Sequence, residues 1–287
     1  MTETLTRSAP AKVNLFLRVL AREANGYHGL ETLMARIELA DSLTARRAEG
    51  TGVTMTVTGA EVGPAADNLA FRAAEAVLGT IRVRFAVELT LDKRIPAGAG
   101  LGGGSADAAA ALLLVNRLAG DAVPRAELFN LAARLGSDVA YCLSEAPLAL
   151  AWGRGERMIT LAPLPAAPVL LVCPPMPVST AEAYGWIDEA RIGSERRGAL
   201  VLEPDALRSW SDVARMAGND FESVVFARRP AVRAAFEALA RTGPLLCRMT
   251  GSGSALFAVY RGEKDRDDAR VALGRKHGTL IPTRTLS

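Results

Sequence analysis

The stretch PAGAGLGGGSADAAAAL, 96–112, places five glycines, Gly98, Gly100, Gly102, Gly103 and Gly104, within seven positions and then runs into alanines and leucines that favour a helix. Glycine has no Cβ and tolerates positive φ, so the backbone of such a loop can turn its N–H groups toward a ligand. At a helix start these groups join the unpaired donors of the first turn and the positive end of the helix dipole, which together suit a phosphate. A tight turn needs one or two glycines, and five point to anion binding. A Walker A loop ends in Gly-Lys-Ser/Thr; this one ends in Gly104-Ser105-Ala106 and lacks that lysine. A dinucleotide loop follows the first strand and has an acidic residue about 20 positions on, whereas this loop follows several strands and Asp121 falls in a connection.

Other residues could act on a hydroxyl. The alternation from Val13 to Val19 predicts a strand with Val13, Leu15, Leu17 and Val19 on one face and Lys12, Asn14, Phe16 and Arg18 on the other. Lys12 and Asn14 thus point the same way, into a cleft or into solvent. Asp138, in LGSDVAYCL, follows a helix that begins near Pro124 and ends at Gly136, so its carboxylate sits on a loop or caps the next helix. Ser105 is a phosphate contact or a helix cap, and Asn68 a cap or a ligand contact.

The elements that position these residues read as α+β. Strands are expected at 32–39, 53–59 and 81–89, the last with Ile81, Val83, Phe85, Val87 and Leu89 on one face. Helices are expected from Asp67 or Asn68 to Leu78, from Ser105 to Leu118, and after Pro124 with Leu128, Leu131, Ala132 and Leu135 as its apolar stripe. Asn25-Gly26 is a turn signal. LAPLPAAPVLLVCPPMP, 161–177, reads as a boundary followed by a buried strand. Beyond it come helices near 180–190, 206–216 and 230–240 and a strand pair, LLCRM and ALFAVY, joined by TGSGS. Two domains, 1–160 and 161–287, follow from this division.

PAGAGLGGGSADAAAAL resembles the phosphate loop of the GHMP kinases, which phosphorylate small alcohols with ATP. PAKVNLFLRV, GYHGLET, DNLAFRAAE, LGSDVAYCL, NDFE and MTGSGSALFA agree with that family in order along the chain. The family's pattern has a serine where Ala106 stands and often a proline where Ala140 stands. The resemblance implies a two-domain α+β fold with the active site in the cleft between domains, and ATP with Mg²⁺ as cofactors. It implies ATP binding by Pro96, Ala97, Gly98, Ala99, Gly100, Leu101, Gly102, Gly103, Gly104, Ser105 and Ala106, with Asp138 as base and Lys12 as its cationic neighbour. The triple glycine and GYH are similar to the branch whose substrate carries a cytidine diphosphate handle. There Tyr27 would stack on the base, His28 read its edge and Tyr184 form a second aromatic wall, with Asn14 and Thr180 as polar contacts. Gly251, Ser252 and Gly253 would face the phosphate loop across the cleft. The metal ligands are not legible in the sequence.

The 287 residues are 49% hydrophobic and 23% charged, ample for a buried core. A net charge of +3, with Lys and Arg scattered, fits an anionic small molecule better than a nucleic-acid track, and there is no basic stripe with interleaved aromatics. RNA binding is therefore a remote alternative; a kinase for homoserine or a mevalonate-like alcohol is a nearer one. Three separated cysteines and two histidines suggest neither a disulfide framework nor a zinc site. With no signal peptide or spanning segment in view, a cytoplasmic location is expected.

Overall fold

In the computed structural model, which describes residues 3–22, 26–60, 63–153, 155, 157–191 and 207–287, two sheets share a core and carry helices on their outer sides. The first sheet contains β1 (Thr4–Arg22), β2 (His28–Ala48), β3 (Gly52–Thr58), β4 (Ala86–Asp92), β5 (Leu148–Gly153) and β6 (Arg157–Leu161), in the order β3-β4-β2-β5-β6 with β1 paired to β2. Its one parallel pair, β3 with β4, requires a crossover, supplied by helix α1 (Leu69–Thr80). Helices α2 (Gly103–Leu118), α3 (Arg125–Leu135) and α4 (Val139–Ser144) pack on the same side. The second sheet is antiparallel, with β7 (Pro168–Cys173), β8 (Leu246–Met249), β9 (Leu256–Val259) and β10 (Thr279–Arg284) in the order β10-β7-β9-β8. Around it lie α5 (Thr180–Arg191), α6 (Trp210–Met216), α7 (Phe221–Arg228), α8 (Pro230–Ala240) and α9 (Glu263–Leu273). No helix among the described residues is long and apolar enough to cross a membrane.

Val13, Leu15 and Phe16 of β1 pack with Leu33, Ala35 and Ile37 of β2 and with Val169, Leu171, Phe257 and Val259 of the second sheet. Lys12–Leu17 and Thr32–Ile37 are buried on both faces, because the strands are sandwiched there. The two-faced pattern expected for 12–19 therefore needs correction. A register shift between Asn14 and Phe16 inserts an extra residue, so Phe16 joins Val13 and Leu15, while Leu17 and Val19 turn to the core around α5 and α7. Lys12 and Asn14, before the bulge, keep the shared face.

Other boundaries also move. The strand expected from Ile81 begins at Ala86; Ile81 caps the end of α1, and Val83 is exposed. Helix α2 starts at Gly103 with Gly102 as its cap at φ 71°, so Ser105 lies inside the first turn and is not the cap. Asn68 does cap: its side chain accepts the N–H of Ala70 at 2.9 Å. Helices α7 and α9 were not anticipated. The Asn25-Gly26 turn is described from Gly26, at φ 85°; Asn25 lies outside the described residues, as does residue 206 of the helix expected at 206–216.

Candidate active site

A cavity of about 690 Å³ lies between the N-terminal end of α2, the β1–β2 pair, α5 and the loop between β8 and β9. Lys12, Asn14, Tyr27, His28, Gly100, Gly102, Ser105, Asp138, Thr180 and Tyr184 all line it, as do Gly251 and Ser252.

At one end is a charged pair. The ammonium of Lys12, whose side chain is 4% exposed, lies 3.3 Å from Oδ2 of Asp138 and donates to Oδ1 of Asn14 at 2.7 Å and to the Gly100 carbonyl at 3.0 Å. Two hydrogen bonds and the ion pair with Asp138 together fix its position. Asp138 occupies the N-cap position of α4, yet its side chain makes no capping hydrogen bond there, so the carboxylate remains directed at Lys12 and the cavity. Of the two readings of Asp138, the geometry favours the cleft over the cap.

Asn14 is more deeply embedded than expected. Its Oδ1 accepts from Lys12, from the Gly251 N–H at 2.9 Å and from the Thr250 hydroxyl at 3.1 Å, and its amide donates to Thr32 Oγ1 at 2.8 Å. It lines the cavity while tying β1, β2 and the second glycine loop together.

The two glycine loops touch. A Cβ on Gly100, at φ 80°, would collide with the Thr250 carbonyl, and one on Gly102 would lie 2.9 Å from Cγ of Lys12. These two glycines are required by close backbone approach as well as by positive φ. Side chains of the loop divide: Ala99, Leu101 and Ala106 are buried in the cores, while Ala97 and Gly98 are exposed and Pro96 borders a separate cavity with Cys173 and Leu280. The amides of Gly103, Gly104 and Ser105 belong to the first turn of α2, where an α-helix provides no acceptor. NDFE proves to be scaffolding: Asn219 donates to the Met249 and Gly251 carbonyls, both at 2.8 Å, and Glu222 accepts the Met249 N–H at 2.9 Å.

The other end is aromatic. The rings of His28 and Tyr184 stack at 4.9 Å and 15°, and Tyr184 meets Phe221 edge-on at 5.0 Å. His28 and Tyr184 therefore form one joined wall, with Tyr27 at the rim, 61% exposed. Nε2 of His28 lies 2.7 Å from Oδ1 of Asp188, and Arg22 stands 3.7 Å from the other oxygen of that carboxylate. An ionised carboxylate only accepts, so Nε2 carries the proton and Nδ1 is the remaining ring nitrogen. Thr180, the first residue of α5, shares a 3.0 Å hydrogen bond with Ser252.

Asp188 and Phe221 were missed in the sequence. Asp188 lies two turns along α5 from Thr180, and an acidic residue in a helix carries no signal until its partner is known. Among the described residues no group of three His, Cys, Asp or Glu side chains could hold a metal ion. The cysteines do not line this cavity: burial pushes the Cys142 and Cys247 thiols up to about 12 and that of Cys173 to about 11.

Residues 68–146 match the model of the GHMP kinases N terminal domain, and residues 202–279 match that of the GHMP kinases C terminal domain. The chain belongs to the GHMP kinase family. Within it, the chain is 38% identical over 290 residues to the 4-diphosphocytidyl-2-C-methyl-D-erythritol kinase of Pelotomaculum thermopropionicum, covering 99% of this chain and 98% of that one. It is 40% identical to the protein of the same name from Solibacter usitatus, over 88% of this chain and 80% of that one. A crystal structure of 4-(cytidine 5'-diphospho)-2C-methyl-D-erythritol kinase superposes with a TM-score of 0.82 at 34% identity, covering 99% of this chain and 100% of that one. Membership of this kinase family implies ATP as the phosphate donor.

Proposed function

We propose that the chain transfers the γ-phosphoryl group of ATP to the 2-hydroxyl of 4-diphosphocytidyl-2-C-methyl-D-erythritol, a step in the non-mevalonate route to isoprenoid precursors. The observation that carries this reading is a single cavity with the phosphate loop and the Lys12–Asp138 pair at one end and Tyr27, His28 and Tyr184 at the other. A substrate joining an alcohol to a cytidine by a diphosphate has matching chemistry at both ends. We read the chain as two domains, 1–160 and 161–287, with the site between them and the protein at work in the cytoplasm.

Phosphoryl transfer passes through a loose transition state, so catalysis rests on holding phosphates, neutralising charge and aiming the hydroxyl. The first-turn amides of α2 are placed to receive phosphate oxygens. Asp138 accepts the hydrogen bond of the attacking hydroxyl and aims it; positioning of this kind supplies roughly 7–11 kcal/mol, against about 10²–10⁴-fold from proton removal. Lys12 pairs with Asp138 at 3.3 Å and offsets charge at the phosphoryl group. Mg²⁺ bound with ATP would neutralise further charge.

At the aromatic end a base stacks beside the His28–Tyr184 pair, worth about 1–3 kcal/mol per base and tolerant of base identity. Discrimination then falls to His28. With Nε2–H given to Asp188, a neutral ring offers Nδ1 as an acceptor, which suits the exocyclic amine of cytosine and not the carbonyl of uracil. Competition tests this: CMP should inhibit ATP turnover more strongly than UMP. Equal inhibition, or none by either, would point to another alcohol kinase of this family, for homoserine or a mevalonate-like substrate.

A further inference from the structure

A segment with five glycines keeps one shape only where its surroundings impose it, because glycine loses more backbone entropy on ordering than any other residue. The middle of the phosphate loop is held by backbone: Lys12 N–H donates to the Leu101 carbonyl at 2.9 Å and Ala255 N–H to the Ala99 carbonyl at 3.2 Å. Its two ends meet at a buried ion cluster that does not line the cavity. Lys93 lies three residues before Pro96, Asp107 directly follows Ala106, and Asp41 comes from β2; they are 7%, 1% and 1% exposed. The Lys93 ammonium donates to Oδ2 of Asp107 at 2.8 Å and to Oδ2 of Asp41. Oδ1 of Asp41 accepts the N–H groups of Arg94, at 2.6 Å, and Ile95, at 2.8 Å, the residues that lead into the loop. A Cβ on Gly103 would lie 3.2 Å from Nζ of Lys93, so the start of α2 rests directly on the cluster.

We propose that Lys93, Asp41 and Asp107 are positioning residues for ATP binding, a clasp that joins the entry and exit of the phosphate loop and sets the spacing of the amides that receive the triphosphate. The alternative, a cluster kept for stability alone, fits the energetics less well. Buried ion pairs contribute little net stability over apolar residues of the same shape, because desolvation offsets the attraction. Here one ammonium faces two carboxylates, and Oδ1 of Asp107 has no hydrogen-bond partner among the described residues. Burial pushes the Asp107 carboxyl up to about 7, with Lys93 pulling it back and Asp41 adding to the rise. Burial alone would lower Lys93, but charge and hydrogen bonds from Asp107 and Asp41 outweigh it and hold the ammonium form. Such an arrangement is costly in a core and specific in geometry, and it sits where geometry is needed.

This inference rests on the reading of the loop as the ATP site, and its test measures ATP binding without the alcohol. ATP affinity is determined by calorimetry for the wild type, Asp107→Ala and Asp107→Asn, together with kcat and the KM of each substrate. Asp107→Ala should weaken ATP binding and raise its KM on the order of tenfold, leaving the KM of the alcohol and kcat at saturating ATP within about twofold. Asp107→Asn, whose amide oxygen still accepts from Lys93, should recover most of that affinity. Unchanged ATP affinity in Asp107→Ala, or a loss shared equally by both substrates, overturns the clasp. A wild-type chain that binds no ATP would overturn the kinase reading and the clasp with it.

Discussion

The two ends of the cleft are built differently. The end we assign to phosphate is built mainly of backbone, a helix start and two glycine loops in contact, together with one lysine that donates to Asn14 and Gly100 and faces Asp138. The end we assign to the base is made of side chains from β2, α5 and α7, joined by ring contacts and by the His28–Asp188 bond. Backbone contacts suit a phosphate, which is alike in every nucleotide; side chains suit a base, which must be told from others. Changes at the first end should therefore abolish chemistry, and changes at the second should alter which substrate is accepted.

The largest effect is expected at the charged pair. Asp138→Ala and Lys12→Met should each lower kcat by about 10²–10⁴-fold in steady-state assays. Asp138→Asn, which keeps an oxygen to aim the hydroxyl, should lose less than the alanine variant. Turnover near wild type in all three would remove the pair from the reaction.

Next comes a contrast inside the loop. Gly102→Ala forces a Cβ to within 2.9 Å of Lys12 Cγ at φ 71°, and a displacement of the lysine by an ångström should cost roughly 10²-fold in kcat/KM. Gly98→Ala, at φ 66° with nothing within 4 Å, should cost only the local strain, about 1–3 kcal/mol, read by chemical denaturation. Equal losses of activity in the two would mean that close approach to Lys12 is not what requires Gly102.

At the base end the effects are smaller and selective. Tyr184→Ala should weaken binding of the cytidine-bearing substrate by about 1–3 kcal/mol, with ATP affinity unchanged. Asp188→Ala should narrow the preference for CMP over UMP by on the order of tenfold, since Nε2 would no longer be fixed as the donor. A parallel loss of ATP affinity would contradict the division of labour between the two ends.

The difference also governs what could be read from the sequence. Loop 96–106 and the pairing of Lys12 with Asn14 were legible because they are local: glycine spacing and strand alternation act within a few residues. The strand pair at 246–259 and helices α2, α3 and α8 were legible for the same reason. Phe16 was misassigned because a bulge leaves no mark in an alternating pattern, and the helix start at Gly103 because its cap, Gly102, has no side chain to signal it. Asp188, Phe221 and the Lys93 cluster were hidden, since each depends on elements far apart in the chain, as with His28 and Asp188.

The smallest effect concerns stability. The Asp107 carboxyl is raised in the folded state to about 7, so the fold holds a proton that the unfolded chain releases. That contribution is present in full below the ordinary carboxylate range and is lost as pH rises through about 7. Urea midpoints should fall between about pH 5.5 and about pH 8 in the wild type, and fall less in Asp107→Asn. The same slope in both would assign the pH dependence to other groups.

Phosphorus NMR of the purified protein with ATP, Mg²⁺ and 4-diphosphocytidyl-2-C-methyl-D-erythritol tests the central claim most directly. A new phosphomonoester resonance growing in step with ADP, and absent for Asp138→Ala, is the predicted result. ADP accumulating without any monoester on the alcohol, or an equal monoester signal from the Asp138→Ala chain, would contradict it.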